Sequence, residues 1–545
     1  MKHVKLLSLT LVALMLLTML PVAVSAAEPG SLPVTDEKIT LTIGVMANGV
    51  VTDWNTNEQT LYIEEVTGVD LEFIEYPQKE YVSKVNLMIA AGGEDLPDML
   101  MGTVTSKSTL VSWGDTGLII PLNEYYDSGL NYWMRKSIEE GCDVSYDEFV
   151  SMMTCYDGNI YGLPSYSEST NNQVSGNRIL IYKPWLDKLG IAREDIVTTE
   201  DLYNVLCQFR DLDMNGNGDT TDEIPMLTES GYIVNLRQAL MNAFVFNQRD
   251  YLIAEDGKVD VVFNRDEWRN GVKFVRKLVE EGLIMPESFT QDKAQMTALM
   301  TQEPEIVGVI ARVSNSNMST SDPKYGNWYY VSPLQGPEGV CENPYSPSIP
   351  NANLLITANC KHPEVAFMVG DYLCSEEMTI WGRFGRKDVE WHEPLEGELS
   401  AYADYGYETV VAIITKALSG DVNNYYYANS GPRIYGTKIF YGQADTSEGE
   451  IHNQVLGNAK DLLYARTFID YDKAVVGLDY DEDQQDVFDS VYTPIVNYVN
   501  ECWARFVLGD LDINDDAAWE NFVSEVNGMG LEEALDSIQA AYDRK

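Results

Sequence analysis

The stretch Ile-Thr-Leu-Thr-Ile-Gly-Val-Met at 39–46 decides the fold, because it opens a repeating pattern of strands and helices. Its β-branched residues alternate as they do in a β-strand. The pattern continues with a helical segment at 58–67, a strand at 70–76 (DLEFIEY), a helical segment at 81–91 that ends at Gly-Gly, and a strand at 96–101. This order predicts a parallel sheet in an α/β protein.

Polar and aromatic residues follow the predicted strands, at the edge where parallel sheets bind ligands. Asp53, Trp54 and Asn55 come after the first strand, and Thr103 comes after the third. An aromatic ring beside carboxylate, amide and hydroxyl groups is typical of a site for a polar organic solute. For each of these residues, a surface loop or core packing is an equally good interpretation.

A second α/β region extends from about residue 178 to residue 330. An i, i+3, i+4, i+7 apolar stripe starts at Leu202 after a capping Thr198, and 306–311 (IVGVIA) has the pattern of a buried strand. The tail from about residue 486 is rich in helical patterns. No repeat or low-complexity linker divides the chain. Two lobes that share the chain by crossing back and forth explain why no boundary is visible.

The charge of the chain excludes several kinds of partner. Its 545 residues contain 85 Asp and Glu against 37 Lys and Arg, a formal net charge of -48. Nucleic acids and anionic membrane surfaces need clustered Lys and Arg, so neither is expected as a partner. Four His leave little for His-rich metal sites or His-dependent catalytic triads. Hydrophobic residues make up 45%, which is enough for a large folded core.

The first 26 residues have the pattern of a secretory signal peptide. Lys2 and Lys5 precede an apolar run that Pro21 interrupts, and Val24-Ser25-Ala26 offers a cleavage site. The competing interpretation is a membrane anchor, since the apolar run is nearly long enough to span a bilayer. We therefore expect an extracytoplasmic protein, which is periplasmic, secreted or associated with the cell envelope.

The seven cysteines do not form a recognisable disulfide framework, since they are odd in number, scattered and without a Cys-x-x-Cys pair. One bridge between Cys142 and Cys155 stays open as an alternative. No cysteine lies near the expected cleavage site, where the sequence is Ala26-Ala27-Glu28, so a lipid-modified N-terminus is not expected.

Several segments, in their order along the chain, resemble the long family-1 extracellular solute-binding proteins of bacterial ABC importers, including the alginate-oligosaccharide binders. Each segment is weakly specific alone, but the ordered set spans nearly the whole mature chain. The matching pieces are Leu96–Leu100, Gly117–Leu122, Tyr156–Pro164, Trp185–Gly190, Asn215–Pro225, Glu280–Ile284 and Trp503–Asp543. The missing lipobox cysteine departs from the lipid-anchored members and leaves tethering in doubt.

The resemblance implies a type II periplasmic-binding-protein fold of two α/β lobes with an interlobe cleft and a helical C-terminal extension. Lobe one is expected at 36–163 and 345–400, and lobe two at 165–330 and 405–545, with crossovers near 163–165 and 332–336. The implied function is non-enzymatic: a monomer captures an oligosaccharide in the cleft and presents it to the permease subunits of an ABC importer.

The run Asp213-Met214-Asn215-Gly216-Asn217-Gly218-Asp219-Thr220-Thr221-Asp222-Glu223 has the composition of a calcium loop. Alternating side-chain oxygens, a turn glycine and closing carboxylates are typical of hard-cation sites. The expected Ca²⁺ ligands are Asp213, Asn215, Asn217, Asp219, Asp222 and Glu223. The resemblance implies a structural ion, whereas an acidic Asn-Gly turn that binds nothing is the alternative.

Further binding candidates lie at the expected crossovers and strand ends, where Tyr rings and polar groups alternate. They are Tyr166, Glu168, Asn172, Arg312, Asn315, Tyr330, Arg433 and Tyr435. Arg312 or Arg433 could hold an acidic sugar, such as a uronate, in spite of the negative net charge. The alternatives are a binding protein for a peptide or another non-sugar solute and, less favoured, a secreted glycoside hydrolase, for which paired carboxylates would be needed.

Overall fold

The computed structural model describes residues 28–544 except 48, 78–79, 92, 94, 103–105, 170–173, 175–177, 320–321, 346, 415–421, 445 and 447–448. The expected signal segment (1–26) and the candidates Thr103 and Asn172 lie outside the described residues.

The strands are numbered in chain order and lie in four sheets. They are β1 (Ile39–Met46), β2 (Val69–Tyr76), β3 (Met99–Met101), β4 (Gly162–Ser167), β5 (Ile179–Tyr182), β6 (Ile224–Leu227), β7 (Leu252–Glu255), β8 (Lys258–Val261), β9 (Val307–Ile310), β10 (Trp328–Val331), β11 (Asn351–Ile356), β12 (Trp391–His392), β13 (Val411–Ile413), β14 (Arg433–Tyr435) and β15 (Gln443–Ala444).

The α-helices are also numbered in chain order. They are α1 (Glu58–Thr67), α2 (Tyr81–Ala90), α3 (Lys107–Asp115), α4 (Asn123–Asp127), α5 (Tyr132–Gly141), α6 (Tyr146–Met153), α7 (Lys183–Leu189), α8 (Thr199–Asp211), α9 (Ile233–Met241), α10 (Asp266–Glu280), α11 (Lys293–Met300), α12 (Pro363–Leu373), α13 (Glu376–Phe384), α14 (Thr437–Tyr441), α15 (Gly449–Arg466), α16 (Glu482–Val487), α17 (Thr493–Leu508), α18 (Asp516–Gly528) and α19 (Leu531–Tyr542).

The first sheet has the strand order β14-β4-β11-β3-β1-β2 and confirms the predicted parallel start. β1 pairs in parallel with β2 and β3, and β14 pairs in parallel with β4, while β11 runs antiparallel between β3 and β4. The carboxyl ends of β1, β2, β3, β4 and β14 therefore share one edge. Asp98 fixes this arrangement, because its Oδ2 accepts hydrogen bonds from the backbone N of Thr42 (2.8 Å) and from Thr42 Oγ1 (2.7 Å).

The second sheet has the order β10-β5-β9-β6. β6 and β9 are parallel, and β5 runs antiparallel to β9 and β10, so the carboxyl ends of β6, β9 and β10 share an edge with the start of β5. The C-terminal helices pack against this lobe through Trp268, which is fully buried and stacks on Trp519 (6.0 Å between ring centroids) and Phe522 (5.9 Å). Trp185, Trp268, Trp503 and Trp519 are all buried.

A small third sheet, β12-β13-β15, joins the two larger ones and has its own core around Tyr402 and Tyr441. The structure differs here from the expected division of the chain. Residues 433–435, placed by sequence in lobe two, pair with β4 of the first sheet. A three-residue strand is too short to show a periodic pattern, which explains the difference. The lobe boundaries as a whole stay a proposal.

The first crossover also lies later than expected. Residues 163–165 are inside β4, so the chain leaves the first sheet after Ser167 and enters the second at Ile179. Pro164 is tolerated within the strand because the pairing of β4 with β11 shifts register next to its partner Ala352. The chain returns between Val331 and Asn351, a span that includes the expected 332–336.

Gly308 on β9 provides a test of how the second lobe is packed. A Cβ at this position would lie 2.4 Å from Cδ2 of Phe209 and 2.9 Å from Cε3 of Trp185. We expect Gly308→Ala to lower stability by about 1–3 kcal/mol, because both rings are buried and fixed. Gly528→Ala on α18 is the control, since its Cβ meets nothing within 4 Å. Thermal unfolding of the full chain should show a lower Tm for the first variant only; equal Tm values would contradict the packing.

Candidate functional site

At the carboxyl edge of the first sheet, Glu168 ties together three segments. Its carboxylate accepts hydrogen bonds from the hydroxyl of Tyr166 (3.0 Å) and from the backbone N of Asp143 (2.8 Å) and Val144 (2.9 Å). Its own backbone N donates to the carbonyl of Tyr435 at the end of β14. Burial and the neighbouring Glu168 charge raise the pKa of Tyr166 well above its ordinary value. Glu168 and Tyr166, both predicted as ligand contacts, are thus buried groups that hold this edge in place.

A buried ion pair lies at the edge of the second sheet that contains the carboxyl ends of β6 and β9. Arg312 follows β9, and its Nη1 lies 2.5 Å from Oε1 of Glu229, which follows β6. The Arg312 guanidinium also lies 4.3 Å from the ring centroid of Tyr232. Both charged groups are buried, so the positive charge of Arg312 is neutralised inside the protein. Glu229 carries no local sequence signal, because its partner is 83 residues away.

A second arginine at this edge, Arg178, was not predicted. It precedes β5, and its Nη1 donates to the hydroxyl of Tyr330 (3.1 Å) while its guanidinium lies 5.0 Å from the centroid of that ring. The Tyr330 hydroxyl donates in turn to the carbonyl of Val313 (3.0 Å). Burial lowers the pKa of Arg178. Asn315, another predicted contact, donates its amide to the carbonyl of Tyr325 (2.7 Å).

Tyrosines from the small sheet and the crossing segments lie between the two edges. Tyr441 packs against Tyr402 (4.7 Å between centroids) and Tyr407 (4.2 Å), and its hydroxyl accepts a hydrogen bond from Arg466 at the end of α15 (2.9 Å). Arg178 and Tyr330 of the second sheet are close enough to influence the pKa of Tyr402, which burial raises. These rings supply apolar faces and hydroxyls, the combination that carbohydrate ligands require.

A cavity of about 730 Å³ opens beside this cluster. It lies among α15, the return crossover and residues 193–197, and Tyr405, Tyr464, Phe468, Gln335, Arg193 and Asp461 are among the residues that line it. The volume is in the range of small-molecule sites. Nη1 of Arg193 lies 2.8 Å from Oδ2 of Asp461. Burial raises the pKa of Asp461 to about 6, and this residue also lines a small void with Arg178 and Tyr330.

The residues after β1 serve the fold rather than an open site. Trp54 is fully buried and packs on Phe73 (5.5 Å) and Tyr427 (4.9 Å). The Asn55 side chain bonds both the N–H (2.7 Å) and the carbonyl (3.1 Å) of Phe73, and Asp53 accepts from the backbone N of Asn55 (3.0 Å). These hydrogen bonds therefore fix the loop after β1 against β2. A tryptophan after a strand has the same local pattern in a core and in a binding site, so the sequence could not distinguish them.

Of the two binding residues predicted on β14, Arg433 is partly exposed and Tyr435 is buried. Arg433 donates to the carbonyl of Asn429, and the hydroxyl of Tyr435 accepts from Nε2 of Gln443 (2.9 Å). Arg383, in the last turn of α13, lies with its guanidinium 5.4 Å from the centroid of the Tyr435 ring. Arg383 carries no sequence signal for a binding site, because α13 and β14 are brought together only by the fold.

The Asp213–Glu223 loop is a tight turn in which side-chain oxygens accept hydrogen bonds from N–H groups of the same loop. Both carboxylate oxygens of Asp213 accept backbone N–H groups, from Gly216 (2.6 Å) and Gly218 (3.0 Å), and Oδ2 of Asp222 accepts from the amide of Asn217 (2.7 Å). Oδ1 of Asp222 and Oε2 of Glu223 are buried without a hydrogen-bond partner. Burial raises the pKa of Glu223. Orphaned carboxylate oxygens beside Asn side chains fit a hard cation.

No group of three or more His, Cys, Asp or Glu side chains within the described ranges is arranged to hold a metal ion. All seven cysteines are free thiols, so the bridge between Cys142 and Cys155 is not formed. Among the helices that the structure describes, none is both long and apolar enough to cross a bilayer.

Two α/β sheets that face each other across shared crossing segments define the class of two-lobed binding proteins. The model of the bacterial extracellular solute-binding protein family matches residues 62–381, and the chain belongs to this family. The fructooligosaccharide ABC transporter substrate-binding protein FusA of Streptococcus pneumoniae is 33% identical over 283 residues, 51% of this chain and 49% of FusA. The chain thus spans about half the length of this curated relative.

Solved structures agree with the fold over nearly the whole chain. FusA in complex with kestose has a TM-score of 0.69 at 23% identity and covers 93% of this chain and 99% of its own. A solute-binding protein for HMO from Bifidobacterium longum infantis has a TM-score of 0.73 at 18% identity, with 93% and 99% covered. The alginate-binding protein AlgQ2 without calcium ion has a TM-score of 0.63 at 18% identity, with 95% and 100% covered. The expected type II fold is confirmed.

One contact joins the lobes outside the tyrosine cluster. Lys107 at the start of α3 donates from Nζ to the carbonyl of Thr154 (2.7 Å) and to Oδ2 of Asp479 (3.4 Å), which belongs to the C-terminal part. Burial raises the pKa of Asp479, Lys107 opposes this shift, and the nearby charge of Asp157 adds to it. Lys107 therefore offsets part of the repulsion that Asp479 experiences from Asp157.

Replacing Lys107 should loosen this arrangement. We expect Lys107→Met to shift the ligand-free protein toward a more open form by about 0.5–1 kcal/mol, because Asp157 and Asp479 then repel without a cation. Added salt should reverse the shift, since it screens repulsion between partly exposed charges. Small-angle scattering gives the radius of gyration, and Lys136→Met on α5, exposed and with the same charge change, is the control. An unchanged radius for Lys107→Met at low salt would contradict the role of this contact.

Proposed function

We propose that this protein is the extracytoplasmic substrate-binding component of an ABC importer and captures an oligosaccharide between its two lobes. The observation that carries the proposal is the tyrosine cluster between the carboxyl edges of two sheets. Ring faces there lie beside arginines and amides, which suits the alternating apolar faces and hydroxyls of sugars. The family membership and FusA, a fructooligosaccharide-binding relative, support the same solute class.

Capture takes place by closure of the lobes. A solute that touches both edges stabilises the closed form by its differential affinity, and the closed shape is what the membrane permease reads. The chain leaves the first sheet after Ser167 and the second after Val331, and these strand ends are where one sheet can rotate relative to the other. We expect the protein to act as a monomer, delivered across the membrane by the apolar segment at 1–26.

The proposal includes that the protein is not an enzyme. Glycoside hydrolysis needs two carboxyl groups that can reach the scissile bond. The buried carboxylates at the site are each engaged elsewhere: Glu168 with backbone N–H groups, Glu229 with Arg312 and Asp461 with Arg193. Because of these bonds, we assign the three carboxylates a role in positioning the residues of the site.

The function can be tested with a panel of neutral and acidic trisaccharides. We expect a rise in Tm and one-to-one binding by calorimetry for at least one of them, with the sugar recovered intact. Small-angle scattering at saturating ligand should show compaction, because closure brings the lobes together. Turnover of the bound sugar would replace the proposal with an enzyme, and binding of peptides alone would replace the solute class.

We further propose that the Asp213–Glu223 loop binds one structural Ca²⁺ ion. Asp213, Asn215, Asn217, Asp219, Asp222 and Glu223 offer the hard oxygens that calcium prefers, and two of these carboxylate oxygens are orphaned in the protein alone. Related proteins support the assignment, since an EF-hand mutant of FusA and a calcium-free form of AlgQ2 are among the similar structures. The ion would hold the loop between α8 and β6.

Chelation tests the calcium proposal. We expect EDTA to lower the Tm and added Ca²⁺ to restore it, because an ion bound only by the folded state stabilises it by mass action. Asp222→Asn should remove most of this difference, whereas Asp219→Asn, whose carboxylate bonds only Thr221, should keep more of it. A Tm that is the same with and without EDTA would remove the ion from the proposal.

A further inference from the structure

Arg433 on β14 and Arg383 near the end of α13 lack the acidic partner that their neighbours have. Arg386 pairs with Glu390 (2.8 Å) and Lys438 pairs with Glu376 (2.6 Å). Within the described part of the chain, neither Arg383 nor Arg433 has a carboxylate within ion-pair distance. In a protein with 85 acids and 37 basic residues, two adjacent cations left without an acid are unexpected on composition alone.

The two guanidinium groups act on each other. The charged and titratable groups that influence Arg433 are Arg383, the Cys374 thiol and the Tyr435 hydroxyl, and no carboxylate is among them. Burial, followed by repulsion from Arg383, lowers the pKa of Arg433 to about 10. Holding two like charges side by side in a partly buried place costs free energy unless an anion joins them.

The two guanidinium groups have N–H donors that no acceptor within the described part of the protein uses. The Arg383 guanidinium lies over the rings of Tyr435 (5.4 Å) and Phe384 (5.8 Å), and its Nε is buried without a hydrogen-bond partner. Arg433 uses Nη1 on the carbonyl of Asn429. Both side chains are partly exposed, so a solute can reach them. A planar guanidinium with unused N–H groups is suited to bind carboxylate or sulfate in a bidentate way.

The pair is placed next to the proposed solute site. Arg433 is in register with Ser165, and Tyr435 is in register with Ser167 at the point where β4 leaves the first sheet. Tyr435 is close enough to influence the pKa of Tyr402 in the tyrosine cluster. Arg312, the other arginine expected to hold an acidic sugar, already has Glu229 as its acidic partner.

We propose that Arg383 and Arg433 form an anion subsite, which binds the carboxylate of a uronic-acid unit within the oligosaccharide. The inference rests on the proposed function and names its substrate class, an acidic rather than a neutral oligosaccharide. The local pair of cations is what makes this possible, because the net charge of -48 repels anions from the rest of the surface.

The test compares trigalacturonate with neutral galactotriose by calorimetry on the full chain. We expect the wild type to bind trigalacturonate at least about tenfold more tightly than galactotriose, because one charge-assisted hydrogen bond contributes about this much affinity. Arg383→Gln and Arg433→Gln should each remove this preference, and Arg433→Lys should retain part of it. Arg505→Gln, which removes one positive charge from α17, should leave it unchanged. Raising the salt concentration should weaken the binding of the acidic sugar alone.

The outcomes separate this inference from the proposed function. Binding of galactotriose as tight as that of trigalacturonate, or a preference that survives both Gln variants, overturns the anion subsite and leaves oligosaccharide capture in place. Failure to bind any oligosaccharide in the wider trisaccharide panel overturns both. If the Gln variants do not fold, as judged by circular dichroism, the wild-type preference and its dependence on salt decide the question.

Discussion

The pairing of the three-residue strand β14 with β4 is the contact on which the arrangement of the site depends. It returns the chain from the small third sheet to the first sheet, directly beside the strand from which the chain departs to the second. The hydrogen bond from Glu168 N to the Tyr435 carbonyl extends this pairing beyond the strands. It places the tyrosines of the third sheet beside the first sheet, while the hydrogen bond from Arg466 to Tyr441 connects them to α15.

The arrangement of charged side chains also depends on individual contacts. Buried cations are held in two ways, since Arg312 is paired with Glu229, whereas Arg178 is bonded to the hydroxyl of Tyr330. Lys107 pairs with Asp479 and offsets its repulsion by Asp157. The net charge of the whole chain therefore says little about any one site, because a buried or partly buried pair is screened less than the surface.

The sequence predicts the start of the fold well because the signal there is local. β1 and α1 agree with their predicted bounds, and β2 begins one residue earlier, since alternation and helical spacing extend over eight to ten residues in each. The position of the Asp213–Glu223 loop is visible for the same reason. Its orphaned oxygens are not, because burial of Asp222 and Glu223 is a property of the folded surroundings.

The site itself is less predictable, because its contacts join distant parts of the chain. Arg178 is bonded to a tyrosine 152 positions later, and Glu229 to an arginine 83 positions later. Arg433 could be selected from the composition of its loop, but Arg383 could not, since α13 shows only the spacing of an ordinary amphipathic helix. Trp54 shows the reverse case, in which an aromatic residue that fits a binding site by sequence is required by the core.

These observations suggest how affinity and specificity are divided. Most polar groups at the two edges already bond one another, so they add rigidity but offer a solute few new hydrogen bonds. Ring faces then provide affinity for many sugars with little discrimination, since every pyranose has an apolar face. Specificity falls to the few donors left unpaired in the protein, because a buried donor that a wrong solute cannot satisfy costs free energy on binding. In this chain, Arg383 with its orphaned Nε is such a donor, and a neutral sugar would leave it unsatisfied.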